Sequence, residues 1–120
     1  MKESVLREKS YQFALRIIKL YQFMSEEKKE YVLSKQILRS GTSIGANIEE
    51  GGHAQSKTDF IHKLSIAQKE AAETNYWIRL LRDSNYLTAK QAESVLNDCE
   101  EVQKMLTSSI KTAKESLPNK

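Results

Sequence analysis

Apolar residues recur at three- and four-residue intervals along almost the whole chain, the period of amphipathic helix. Over about 5–24, Phe13, Ile17, Leu20 and Met24 fall on one stripe. Tyr11, Ala14, Ile18 and Tyr21 form a second stripe beside it, a wider apolar face than one neighbour would cover. Ser25-Glu26-Glu27 offers a cap and acidic first-turn residues for a second helix, expected over about 28–50. There Leu33, Ile37, Gly41, Ile44 and Ile48 share a face. Gly51-Gly52 is expected to end it in the left-handed conformation that glycine tolerates.

The third helix, over about 56–83, opens on Ser56-Lys-Thr-Asp59, close to a capping box. Its stripe is Phe60, Leu64, Ala67, Ala71, Thr74, Ile78 and Leu81, broadened by Trp77 and Leu80. Asp83-Ser-Asn-Tyr86 reads as a turn. The fourth helix, about 88–115, opens on Thr88-Ala-Lys-Gln91, a full capping box. Ala92, Val95 or Leu96, Cys99, Val102, Leu106, Ile110 and Ala113 make its stripe, and the tail 117–120 should fray. No strand signal, repeat or low-complexity tract appears. The expectation is an all-α, single-domain chain (1–120) folded as an antiparallel up-down-up-down four-helix bundle. The second stripe of the first helix points further, to a homo-oligomer.

All four glycines lie between Arg39 and Gly52. Gly41 and Gly45 share a helix face and should mark the closest helix approach, since each costs about 1 kcal/mol against alanine. Ser40, Ser43 and Asn47 add polarity to the same segment. A buried Asn47 between Ile44 and Ile48 would need partners and could fix helix register. The segment is not a phosphate loop: the glycine spacing is too short, the lysine is missing and no strand precedes it.

Charge is mild overall, at +3, but the first helix is basic. Lys2, Arg7, Lys9, Arg16 and Lys19 face only Glu3 and Glu8 there, with Tyr11 and Tyr21 interleaved. On one chain these would bind RNA or DNA weakly, without sequence preference and with strong salt dependence. An oligomer would multiply the contacts. Lys9, Arg16, Lys19 and Arg7 are therefore the nucleic-acid candidates, with Arg79 and Arg82 behind them.

Other chemistry is thinner. Glu50-Gly-Gly-His53 has the letters of a di-iron ligand pair, but the glycines should end the helix between the two ligands. Glu70 and Glu73 share a face, where an inter-helix ion pair is the simpler role than paired acid and base. Cys99 sits in an apolar stripe, so a buried structural thiol is expected. One cysteine excludes an internal disulfide framework, and neither a signal peptide nor a membrane span is legible. The reading is a cytoplasmic, non-enzymatic chain with no cofactor and no catalytic or metal residues.

Residues 34–51 (Ser-Lys-Gln-Ile-Leu-Arg-Ser-Gly-Thr-Ser-Ile-Gly-Ala-Asn-Ile-Glu-Glu-Gly), with 59–67, 73–81 and the 9–21 pattern of the first helix, resemble the small four-helix-bundle proteins encoded in intervening sequences of bacterial 23S rRNA genes. Arg39, Ser40, Ser43, Asn47 and Glu50 match the family signature. The resemblance implies a homopentameric ring and no enzymatic activity. It also implies kinship with accessory proteins of diversity-generating retroelements, which bind nucleic acid and a reverse transcriptase. Glu49-Glu50-Gly51-Gly52 is more acidic than the family pattern, which argues against a nucleic-acid contact at that turn. The alternative to nucleic-acid binding is a protein-interaction scaffold or accessory subunit.

Overall fold

The described residues, 2–118 of a computed structural model, form four α-helices and no strand. These are α1 (Lys2–Glu26), α2 (Leu33–Gly51), α3 (Lys57–Asp83) and α4 (Ala89–Glu115). The side chain of Lys2 and the last two residues of the tail lie outside the described residues.

The α1–α2 connection departs from the sequence expectation. Ser25 does not cap a following helix. It belongs to α1, and its hydroxyl donates to the Tyr21 carbonyl at 2.9 Å. Past Glu26, Lys29 takes a left-handed φ of 56° and the Glu30 N–H donates back to the Met24 carbonyl at 2.9 Å. Glu30 then supplies the cap. Its carboxylate accepts the backbone N–H groups of Val32, Leu33 and Ser34 at 3.1, 2.9 and 2.8 Å. These are donors that a helix start leaves unpaired. α2 therefore begins at Leu33 rather than near residue 28.

The end of α2 is also different. Neither Gly51 nor Gly52 is left-handed; Gly52 has φ −65°. The chain leaves through tight turns instead, with His53 N–H on the Glu50 carbonyl and Ala54 N–H on that of Gly51. The remaining boundaries match. Ser56 Oγ accepts the Asp59 N–H at 3.1 Å, and both halves of the Thr88–Gln91 capping box form. Asn85 closes α3 at φ 68°, with Tyr86 N–H on the Leu81 carbonyl, the left-handed helix ending described for Gly or Asn.

The stripes become the core. Phe13, Ile17, Leu20 and Met24 are buried, as are Ile37, Ile44 and Ile48 on α2. Leu64, Ala67, Ala71, Thr74, Ile78 and Leu81 meet them from α3, and on α4 both Val95 and Leu96 are inside. Each large aliphatic side chain taken fully from water contributes about 1.5–3 kcal/mol. The rod measures 53 × 23 × 22 Å. α2 packs between α1 and α3, α3 between α2 and α4, and a slighter α1–α4 seam closes the bundle.

Gly41 and Gly45 share a face, as expected, and that face meets α1, but only Gly41 is tight. A Cβ there would lie 2.8 Å from both γ-carbons of Ile17. A Cβ at Gly45 would meet the Ser10 carbonyl at 3.4 Å, an ordinary contact.

Candidate functional site

Three of the signature residues, Arg39, Ser40 and Glu50, contact α3 across the α2–α3 seam. Ser40 is buried, and Thr74 Oγ1 lies 2.8 Å from its hydroxyl and 2.8 Å from the Glu70 carbonyl. Outside that pair, Arg39 reaches across to both Glu70 (3.2 Å) and Glu73. The Trp77 indole N–H donates to the same Glu73 carboxylate at 2.9 Å. This donation, opposed by partial burial and reinforced by Arg39, holds Glu73 below the usual carboxylate range. Its hydrogen bond to Glu73 likewise raises Arg39. Further along, Lys63 of α3 pairs with Glu50 at 3.0 Å.

Ser43 and Asn47 do not join this seam. Ser43 donates to the Arg39 carbonyl at 2.6 Å, and the Asn47 amide donates to the Ser43 carbonyl at 2.8 Å. Asn47 is half-buried, so one turn of its own helix satisfies it and no cross-helix register bond forms. The α2–α3 seam is thus a connected polar zipper, with Glu70 and Glu73 committed to an inter-helix ion pair.

The basic candidates on α1 are divided by their partners. Lys9 pairs with Glu101 at 3.2 Å, and Arg16 with Asp98 and the Ser94 carbonyl and hydroxyl. Arg7 stands 4.0 Å from Glu49. Lys19 is exposed and makes no ion pair among the described residues. Arg79 bonds Asn75 and lies over the Tyr76 ring, while Arg82 pairs with Asp83. Three of the four leading candidates therefore bind α2 or α4 rather than stand free, a result the one-helix charge count could not reveal.

The second apolar stripe of α1 stays on the surface. Tyr11 is 61% exposed and Ile18 38%, with Ala14 and Tyr21 half-buried next to them. Leu15, 41% exposed, widens the strip. Its four-residue spacing from Tyr11 was the available signal. Tyr31 and Val32 stand exposed in the α1–α2 connection, which the expected longer α2 had hidden.

Cys99 is fully buried, and its thiol approaches the Ala71 carbonyl at 3.5 Å. Burial, then the charge of Glu100, push it up to about 12, so it is a protonated thiol at neutral pH. His53 lies beyond the end of α2, so the Glu50–His53 spacing does not place both on one helix. Among the described residues no group of His, Cys, Asp and Glu could hold a metal ion. No helix among the described residues is long and apolar enough to cross a membrane.

Comparison with known proteins follows the same lines. The family model for the 23S rRNA-intervening sequence protein matches residues 2–108. A solved structure from Bacteroides thetaiotaomicron, described as a protein with unknown function from the S23 ribosomal protein family, is 58% identical. It covers 92% of this chain and 99% of its own, with a TM-score of 0.91. No match was found among curated proteins.

Proposed function

This chain belongs to the 23S rRNA-intervening sequence protein family, and on that premise we propose that it is a non-enzymatic assembly module. Its neighbouring helices run antiparallel. The contact register supports this: Arg7, Ser10 and Ile17 of α1 meet Glu49, Gly45 and Gly41 of α2 in reverse order. Copies associate through the α1 face into a homo-oligomeric ring, a pentamer, in a reducing cytoplasm suited to one buried thiol. The ring serves as a scaffold for a protein partner, of which a reverse transcriptase is one candidate.

The carrying observation is the apolar strip of Tyr11, Leu15 and Ile18. It leaves water-facing surface that the monomer's own core does not use. Ala14, half-buried beside it on α1, would let a second helix lie close. Replacing Tyr11, Leu15 and Ile18 together by serine should lower the sedimentation coefficient while the circular dichroism spectrum stays helical. An unchanged sedimentation coefficient would sink the assignment of this face.

RNA or DNA binding is the second reading, and Lys19 favours it because it has no acidic partner among the described residues. Lys9, Arg16 and Arg7 would have to give up their carboxylates to take phosphates. Titration of an oligonucleotide at two salt concentrations decides this. Salt-sensitive binding lost in Lys9→Glu/Lys19→Glu would support it, and no binding at low salt would end it.

A further inference from the structure

The α1–α4 seam opens into a groove of about 500 Å³ where α1 nears its end and α4 begins. Leu20, Phe23 and Leu87 form its floor, and Arg16, Lys19 and Lys90 stand around it. No residue lining it is acidic. Arg16 spends its charge on Asp98, but Lys19 and Lys90 are exposed and have no ion-pair partner among the described residues. The start of α4 lies at the same rim, where a helix carries partial positive charge of the same sign. The described ends of the chain do not cover the groove, because Glu3 and Ser116 border a different cavity at the far end of the rod.

The geometry points to this groove as a docking site for an amphipathic, acidic helix of a partner protein. Leucine-like side chains at helical spacing would fill the floor, the helix-in-groove mode of recognition. Glutamates or aspartates flanking them would answer Lys19 and Lys90, the complementarity that governs encounter and partner choice. A single-stranded nucleic acid is the poorer fit. Its affinity rests on bases stacked on aromatic rings, and the only aromatic lining residue, Phe23, already has the Lys28 ammonium 5.7 Å from its ring centroid. The groove shares no lining residue with the Tyr11 strip, whose Leu15 lies one helical turn from Lys19.

Fluorescence anisotropy with a labelled peptide of about 14 residues, four helical turns, tests it. The peptide carries leucines at three- and four-residue spacing and glutamates elsewhere. The wild-type chain should bind it saturably at low salt and more weakly at high salt. Lys19→Glu combined with Lys90→Glu should weaken binding about tenfold or more, with the helical spectrum retained because both side chains are on the surface. Lys111→Glu, a charge reversal toward the other end of α4, should leave binding unchanged. Absence of binding, equal binding of a glutamine-for-glutamate peptide, or indifference to the double charge reversal would each overturn the assignment. So would an oligouridine that displaces the peptide and shows the same dependence on Lys19 and Lys90.

Discussion

Gly41 is the residue on which helix packing turns. Alanine there would gain about 1 kcal/mol of helix propensity. It would also drive a methyl group to 2.8 Å from a fully buried Ile17, an overpacking that typically costs about 1–3 kcal/mol. Gly41→Ala should therefore destabilise the chain in urea, and Ile17→Ala should cost less in that variant than in the wild-type chain, because the relieved clash offsets part of the cavity it leaves. Gly45→Ala should be neutral or stabilising by up to about 1 kcal/mol, because its new methyl has room. Equal losses at both positions would contradict the distinction. The sequence spacing placed both glycines on one helix face, but it named neither the facing helix nor which glycine meets a β-branched side chain.

Glu30 acts at the same scale. Burial would raise it, but the N–H groups of Leu33, Ser34 and Val32 together hold it below the usual carboxylate range. A lowered folded value means its contribution is complete above the unfolded value of about 4.3 and is lost as pH falls through the folded one. Glu30→Gln should thus cost about 1 kcal/mol at neutral pH, with the difference from wild type shrinking in acid. A gap that widens as pH falls would refute the cap. Nothing in the local pattern announced this residue, since the usual signal is Ser, Thr, Asp or Asn at the cap itself.

At the scale of the elements, the boundaries that sequence could place were those with a side-chain signature. Ser56 and Thr88 begin α3 and α4 as their capping motifs require, and Asn85 ends α3 in a turn spelled by polar residues. The start of α2 was missed because its cap reaches back from Glu30, in a connection where Lys29 takes the left-handed position glycine usually occupies. The α2–α3 seam was partly legible. A base on a neighbouring helix was expected for Glu73, and Arg39 is that base; Trp77 as a second donor was not foreseen. The chain's one tryptophan makes the seam measurable. Its fluorescence should change as Glu73 protonates, with a midpoint below about 4.3, because the folded value is lowered and the interaction is lost only as pH falls through it. A midpoint at or above the ordinary glutamate value would contradict the Trp77–Glu73–Arg39 arrangement. Arg39 is half exposed, so Arg39→Ala should cost no more than about 1 kcal/mol.

At the scale of the whole molecule, three of the four leading basic candidates on α1 are answered within the monomer, while its apolar strip is left exposed. Lys9, Arg16 and Arg7 tie α1 to α4 and α2, which turns a basic helix into a structural one. Charge along a single helix could not show that, because the answering carboxylates come from residues 49, 98 and 101. Hydrophobic periodicity did show the surplus face, because a stripe beyond the core stripe is visible before any partner is known. Tyr11, Leu15 and Ile18 occupy it, and self-association is the economical use of such a surface.

Light scattering coupled to size exclusion tests that claim most directly. A ring gives five times the mass of the 13.8 kDa chain, falling toward one copy when Tyr11, Leu15 and Ile18 are replaced by serine. A wild-type mass of 13.8 kDa that holds across protein concentration would contradict it.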